Sequence, residues 1–318
     1  MINLNPIHAP VRVSVAEGFR CVSTGIGAWG EAIRLSVPAQ MVEGVFGTAE
    51  QSGWASSPKT HTDQTYAAIV SVTTATNTIV RQLPIIATAY PIVQTLPKDN
   101  LLVVAQRSQR SSDGTHEQNA KVYRADGALA AEFCLGDGIE HVQADKAGRL
   151  WVGYFDEGIF GNFGWGTGEG ATPLGVAGLV CYDTRGRKLW EFQPPPGFED
   201  MADCYALNVA EEAVWACYYT DFPIVCVDPQ RHTKAWTTEL SGPRALAVSG
   251  DSVLAYGGHK HRQDCNLLRL RDGRAEHVAQ VTLHLPHPLD PSAGRVIGRD
   301  NLLHLFTPDE WYVFSVPS

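Results

Sequence analysis

Arg149-Leu-Trp-Val-Gly-Tyr-Phe155 is a short apolar run that follows a polar turn, and altered copies of it recur along the chain. The copies are Asn100-Leu-Leu-Val-Val-Ala-Gln106, Ala213-Val-Trp-Ala-Cys-Tyr-Tyr219, Ser252-Val-Leu-Ala-Tyr-Gly-Gly258 and Asn301-Leu-Leu-His-Leu-Phe-Thr307. Aligned on Leu101, Leu150, Val214, Val253 and Leu302, they lie 49, 64, 39 and 49 residues apart. Turn-forming pairs precede each copy: Lys98-Asp99, Ala147-Gly148, Glu211-Glu212, Gly250-Asp251 and Arg299-Asp300. A period of roughly 40 to 50 residues with variable loops is the signature of four-stranded propeller blades.

A blade is an antiparallel meander, so each copy needs an inner strand before its turn and two outer strands after it. The sequence supplies them. For the third blade the pattern predicts strands over His141 to Asp145, Arg149 to Phe155, Leu179 to Asp183 and Lys188 to Phe192. The sixth blade lacks an outer strand before the chain stops, and Val11 to Val15 is the candidate to complete it, which also removes exposed sheet edges. The expectation is an all-β chain: a six-bladed β-propeller of four-stranded antiparallel blades, its last blade closed by an N-terminal strand. It reads as a single propeller domain over 1–318, with blades near 18–85, 88–135, 138–193, 203–240, 243–284 and 292–316 plus 11–16. The first blade is the least patterned, because Ser52 to Asp63 is polar and only Ala67 to Val72 and Thr78 to Gln82 read clearly as strands.

The 318 residues are 44% hydrophobic and 19% charged, with a net charge of -9, which argues against a phosphate-binding surface and hence against a nucleic-acid partner. Met1-Ile-Asn-Leu-Asn-Pro-Ile-His8 has neither a basic stretch nor an apolar core of the secretory type, and no apolar run approaches the ~20 residues of a membrane helix. A cytoplasmic, membrane-free monomer is expected. The seven cysteines include no Cys-x-x-Cys pair and several sit in strand runs, so reduced core residues are expected. Gly25-Ile-Gly-Ala-Trp-Gly30 matches a dinucleotide fingerprint in letters alone, since Glu31 to Val37 reads as a strand where a helix is needed.

Ala144-Asp-Lys-Ala-Gly-Arg-Leu-Trp-Val-Gly153 resembles the Asp-x-x-Gly-x-Leu-Trp-Val-Gly signature of NHL-like, regulator-type and gluconolactonase-like propellers. The resemblance implies a blade-building role: Asp145 and Gly148 for the hairpin turn, Trp151 for packing between blades.

In a propeller, the loops between second and third strands emerge with the links between blades, and the longest insertions fall there. Asp156 to Gly170 carries six glycines with Phe160, Phe163 and Trp165, suiting either a mobile loop that closes over a ligand or an Ω-like loop packing its own aromatics. The candidate ligand- or partner-binding residues on those loops are Asp137, Glu140, His141, Asp156, Glu157, Phe163, Trp165, Glu199, Asp200, Asp203 and Asp221. Such an acidic, aromatic-bearing face suits a non-enzymatic binding propeller that holds a protein or a small cationic ligand. The alternative follows the gluconolactonase-like resemblance: a hydrolase with its site at the channel mouth, in which Glu140, Asp203 and Asp221 hold Ca²⁺ or Mg²⁺. Two lesser readings are a lyase or isomerase with His141 as general base, and a transition-metal site built on His259 and His261 with Asp264 or Cys265. His284-Leu-Pro-His-Pro-Leu-Asp290 reads as a rigid connection between blades.

Overall fold

The computed structural model describes residues 1–13, 15–49, 57–166, 171–260, 262–286 and 294–317. The fold is a six-bladed β-propeller of four-stranded antiparallel blades, as the repeat predicts. Contacts divide the chain into two compact units, Val15–Glu191 and Met1–Ser14 with Phe192–Ser318.

Blades 1 to 3 make up the unit Val15–Glu191. Blade 1 runs Phe19–Ile26, Ala32–Pro38, His61–Thr73 and Thr78–Thr88, and blade 2 runs Pro91–Leu96, Asn100–Ala105, Ala120–Tyr123 and Leu129–Phe133. Blade 3 runs Ile139–Ala144, Leu150–Tyr154, Leu179–Tyr182 and Lys188–Glu191. The opening motif is therefore a second strand, and every residue of Leu150–Tyr154 is buried because both of its faces are covered. Blade 1 has longer strands than its sequence suggests, and Gly25 to Gly30 forms the hairpin between its first two. Its core of Ile33, Leu35, Val37, Val93, Leu101 and Val103 is shared with blade 2.

Blades 4 to 6 make up the other unit. Blade 4 runs Asp203–Val209, Val214–Tyr219, Ile224–Val227 and Thr233–Trp236, and blade 5 runs Ala245–Ser249, Ser252–Tyr256, Cys265–Arg271 and Arg274–Leu283. Blade 6 has Arg295–Arg299, Leu302–Phe306 and Glu310–Ser315, completed by Val11–Arg12 through the antiparallel pairs Val11 with Trp311 and Arg12 with Glu310. The expected closing segment reached Val15; of it, Ser14 lies outside the described residues. A second N-terminal strand has no counterpart in the sequence reading: Ile2–Leu4 runs parallel to Val281–Leu283 at the outer edge of blade 5. Parallel pairing needs no hairpin, so no turn residue announces it.

Successive inner strands touch within each unit, and buried carboxamides join them. Asn208 Nδ2 donates to the carbonyls of Leu246 (2.7 Å) and Asp300 (2.8 Å), tying blade 4 to blades 5 and 6. Gln94 Oε1 accepts from the Ala144 N–H at 3.2 Å, tying blade 2 to blade 3. The approach is close enough that a Cβ at Gly298 would lie 1.8 Å from the Leu246 carbonyl oxygen, and one at Gly25 2.7 Å from that of Val93. Replacing Asn208 by Ala leaves the buried Leu246 carbonyl and the part-buried Asp300 carbonyl without this donor and is expected to cost about 1–3 kcal/mol, read as a lower urea midpoint with an unchanged slope.

The Asp-led turns form a repeated device. Asp145 Oδ1 accepts from the N–H groups of Ala147 and Arg149, both at 2.9 Å, while its other oxygen takes Arg149 Nε at 2.5 Å. Asp183 holds Arg185 and Arg187 in the same manner, and Asp228 holds His232. Asp145 and Gly148 thus serve the turn, whereas the Trp151 ring meets Trp190 of its own blade. The fourth turn residue has positive φ each time: Gly148 (84°), Gly186 (77°) and Arg231 (69°). Arg231 pays a steric penalty the glycines avoid, so Arg231→Gly is expected to stabilise the protein by about 0.5–1 kcal/mol in chemical denaturation.

His304 lies buried in blade 6, where Trp311 Nε1 donates to its Nδ1 at 3.2 Å and the two rings stack. Burial, with Arg299 adding to it, lowers its pKa to about 3. The folded protein therefore resists a proton that the unfolded chain accepts near pH 6.5. Stability from this residue is complete above pH 6.5 and is lost as pH falls towards 3, by up to roughly 4–5 kcal/mol at 1.36 kcal/mol per unit. Urea midpoints measured across that window should fall less steeply for His304→Leu than for the wild type.

Candidate functional site

Arg107 lies two residues past the second strand of blade 2 and organises loops of the Val15–Glu191 unit. Its guanidinium meets Asp137 in a buried two-pronged pair, Nε to Oδ1 at 2.9 Å and an Nη to Oδ2 at 2.8 Å. A further Nη pairs with Glu157, and the rings of Phe155 and Phe163 lie over the cation at 5.2 and 4.6 Å. Asp137 Oδ1 also accepts from the Ser108 N–H at 2.8 Å. Burial pushes the Asp137 carboxyl above its ordinary pKa, and Arg107 and Ser108 oppose that shift. The arrangement satisfies a fork-shaped cation with two carboxylates and two aromatic faces, which is the geometry of an anchor.

The glycine-rich loop is fastened to this anchor over its described part. Asp156–Phe160 forms a short helix, and Trp165 is buried with Nε1 donating to the Ser108 carbonyl at 2.9 Å. Arg110 N–H donates to the Phe163 carbonyl at 2.8 Å, and a Cβ at Gly164 would lie 2.0 Å from the Arg110 oxygen. Within residues 156–166 the loop packs Trp165 and Phe163 inward, as in the second of the two loop readings, but leaves Phe160 exposed; residues 167–170 lie outside the described residues. Asp137 and Trp165 are buried in this work of anchoring, and Phe163 and Glu157 are partly covered by it. Asp156 is exposed, and Glu140 and His141 are half-buried at the start of the blade 3 inner strand.

In the other unit, the remaining candidates gather at one end of blade 4. Glu199, Asp200 and Asp221 are exposed, and Asp203 is half-buried at the head of the inner strand, paired with Tyr219. Tyr218 Oη donates to the Glu199 carbonyl at 2.9 Å. Burial raises the Tyr218 pKa, and the negative charges of Asp200, Asp221 and Glu199 act in the same direction. Asp221 and Phe222 take positive φ angles of 62° and 52°, the hairpin geometry that turns the chain between the two central strands. Beside them stand Tyr219, 50% exposed, and an aromatic group in which Phe222 meets Tyr205, Tyr219 and His259.

The chain matches the sequence profile described as the YxzG family over residues 173–310. No curated protein matches it. Solved structures similar to it are those of β-propeller proteins. Virginiamycin B lyase from Staphylococcus aureus has 8% identity and a TM-score of 0.44, covering 97% of this chain and 98% of that one. Hsv2 of Kluyveromyces lactis has 8% identity and a TM-score of 0.47, covering 94% and 74%, and apo AztD from Citrobacter koseri 11% and 0.41, covering 93% and 86%.

Among the described residues, no group of three or more His, Cys, Asp or Glu side chains is placed to hold a metal ion. Glu140 belongs to one unit, Asp203 and Asp221 to the other. Of the histidine proposal, His261 lies outside the described residues, while His259 Nε2 sits 3.2 Å from the Tyr205 hydroxyl; His287, of the Pro-rich connection, also lies outside them. Cys265 is buried, and burial raises its thiol to about 12, leaving it protonated at neutral pH. All seven cysteines are free. No described helix is long and apolar enough to cross a membrane.

Sequence reasoning missed Arg107, whose one signal is its place at the start of the loop after a strand, and the Tyr205–Tyr219–Phe222 group, whose members are spread over two strands and a turn. Removing the Arg107 side chain strands the buried Asp137 charge. Arg107→Ala is expected to cost about 3–5 kcal/mol and to speed amide exchange in residues 156–166, whereas Asp137→Asn together with Arg107→Leu should recover part of the loss.

Proposed function

We propose that the protein is a non-catalytic binding propeller that receives a basic segment of a partner protein on the rim of blade 4. The observation that carries this reading is the set of exposed carboxylates at one end of blade 4: Glu199 and Asp200, in the segment whose Glu199 carbonyl accepts from the Tyr218 hydroxyl, and Asp221, in the hairpin that follows half-exposed Tyr219. Carboxylates attract a lysine or arginine side chain at long range, and an aromatic face gives its cation and methylene stem a surface to rest on. The net charge of -9 acts in the same sense. Among the described residues, no observation favours the divalent-metal hydrolase with Glu140, Asp203 and Asp221 as its ligands, or His141 as a general base.

The test uses a fluorescent deca-lysine peptide and anisotropy at low salt. Glu199→Lys, Asp200→Lys and Asp221→Lys combined should weaken binding at least tenfold, and added salt should weaken wild-type binding in parallel. Asp156→Lys, a charge reversal in the other unit, should have a smaller effect. Equal binding by the wild type and the triple variant would overturn the assignment to blade 4.

A further inference from the structure

The geometry points to a separate small-molecule site between blades 5 and 6, and we propose that it takes an organic amine with an apolar body. A cavity of about 520 Å³ opens there, within the usual size range of ligand pockets. It shares no residue with the blade 4 rim, so it stands or falls independently of the function proposed above.

The floor of the cavity follows from strand register. Tyr256 pairs with Cys265, and Cys265 with Val281, so the three side chains project from one face of blade 5 in a single row. That face packs on blade 6, and its apolar cluster includes Leu283, Leu285 and, from the second strand of blade 6, Leu305. All six line the cavity. The N-terminal strand Ile2–Leu4, paired alongside Val281–Leu283, extends this sheet at its outer edge.

Polar groups occupy the mouth. Gln263, Gln280, Thr282 and His284 are exposed, and Asp264 is half-buried; all line the same cavity. Among the described residues the lining includes no Lys or Arg, and Asp264 is its one fixed charge. The Asp264 carboxylate beside the Gln263 carboxamide makes an acceptor-bearing mouth over an apolar floor, while Gln280 and Thr282 alternate with Val281 and Leu283 along their strand and border the cavity from its other face. It suits an ammonium head at Asp264 with a ring or short alkyl body laid against Tyr256, Leu283 and Leu305. The same charge disfavours a carboxylate or phosphate head.

Calorimetric titration at pH 7 with 4-phenylbutylamine tests the site, with 4-phenylbutyrate and 4-phenyl-1-butanol as probes of the same body and different charge. The amine should bind saturably, the acid should not, and the alcohol should bind at least tenfold more weakly than the amine. Asp264→Asn should weaken the amine at least tenfold while leaving the urea midpoint in place. Leu283→Trp, which fills the cavity at a half-buried position, should abolish binding of all three probes. Absence of saturable amine binding, equal binding of amine and alcohol, or an unchanged affinity in Asp264→Asn would each overturn the proposal.

Discussion

The close approach of inner strands governs the rest of the architecture. Where blade 6 meets blade 5, Gly298 lies so near the Leu246 carbonyl that no side chain fits, and Asn208 of blade 4 gives both of its N–H donors to backbone carbonyls of blades 5 and 6. Gly25 and Gln94 do the corresponding work among blades 1 to 3. Asn208, Gln94 and the Leu246 and Ala144 backbone they bond are buried, so these polar groups need partners from the next blade. A carboxamide is the side chain that offers donor and acceptor together without a charge to desolvate.

With the inner strands fixed, second strands such as Leu150–Tyr154 become apolar on every residue, and variation is pushed outward to turns and loops. The Asp-led turns are built from local hydrogen bonds, which is why one device serves Asp145, Asp183 and Asp228 in different blades. The long loops need something stronger. In the unit of blades 1 to 3, Arg107 supplies it, holding two carboxylates and two aromatic rings that come from segments far apart in the chain. Charge there is consumed internally. At blade 4, by contrast, Glu199, Asp200 and Asp221 remain exposed, and that difference in the use of carboxylates is what separates an anchor from a surface able to receive a cation.

Much of the fold was legible because its signals are local. The recurring apolar run, the turn pairs before it and the Asp-x-x-Gly device each act over fewer than ten residues, so they survive as readable patterns. Even the closing strand at Val11–Arg12 could be anticipated, since an incomplete last blade demands a partner. The parallel strand Ile2–Leu4 could not, because pairing across more than 270 positions leaves no spacing to read. Blade 1 was underread for a related reason: its outer hairpin carries polar residues on an exposed face, which masks the alternation.

The acidic candidates show where sequence stops. Charge and loop position placed Asp137, Asp156, Glu157, Glu199, Asp200, Asp203 and Asp221 in one class. The sequence by itself determined blade number, phase and the loops that carry these residues, since those follow from periodicity. Tertiary structure alone decided which carboxylates are spent: Asp137 and Glu157 face Arg107, while Glu199, Asp200 and Asp221 face solvent. An ion pair depends on a few ångströms of separation between residues distant in the chain, and burial decides what a charge costs; neither quantity is written in residue order.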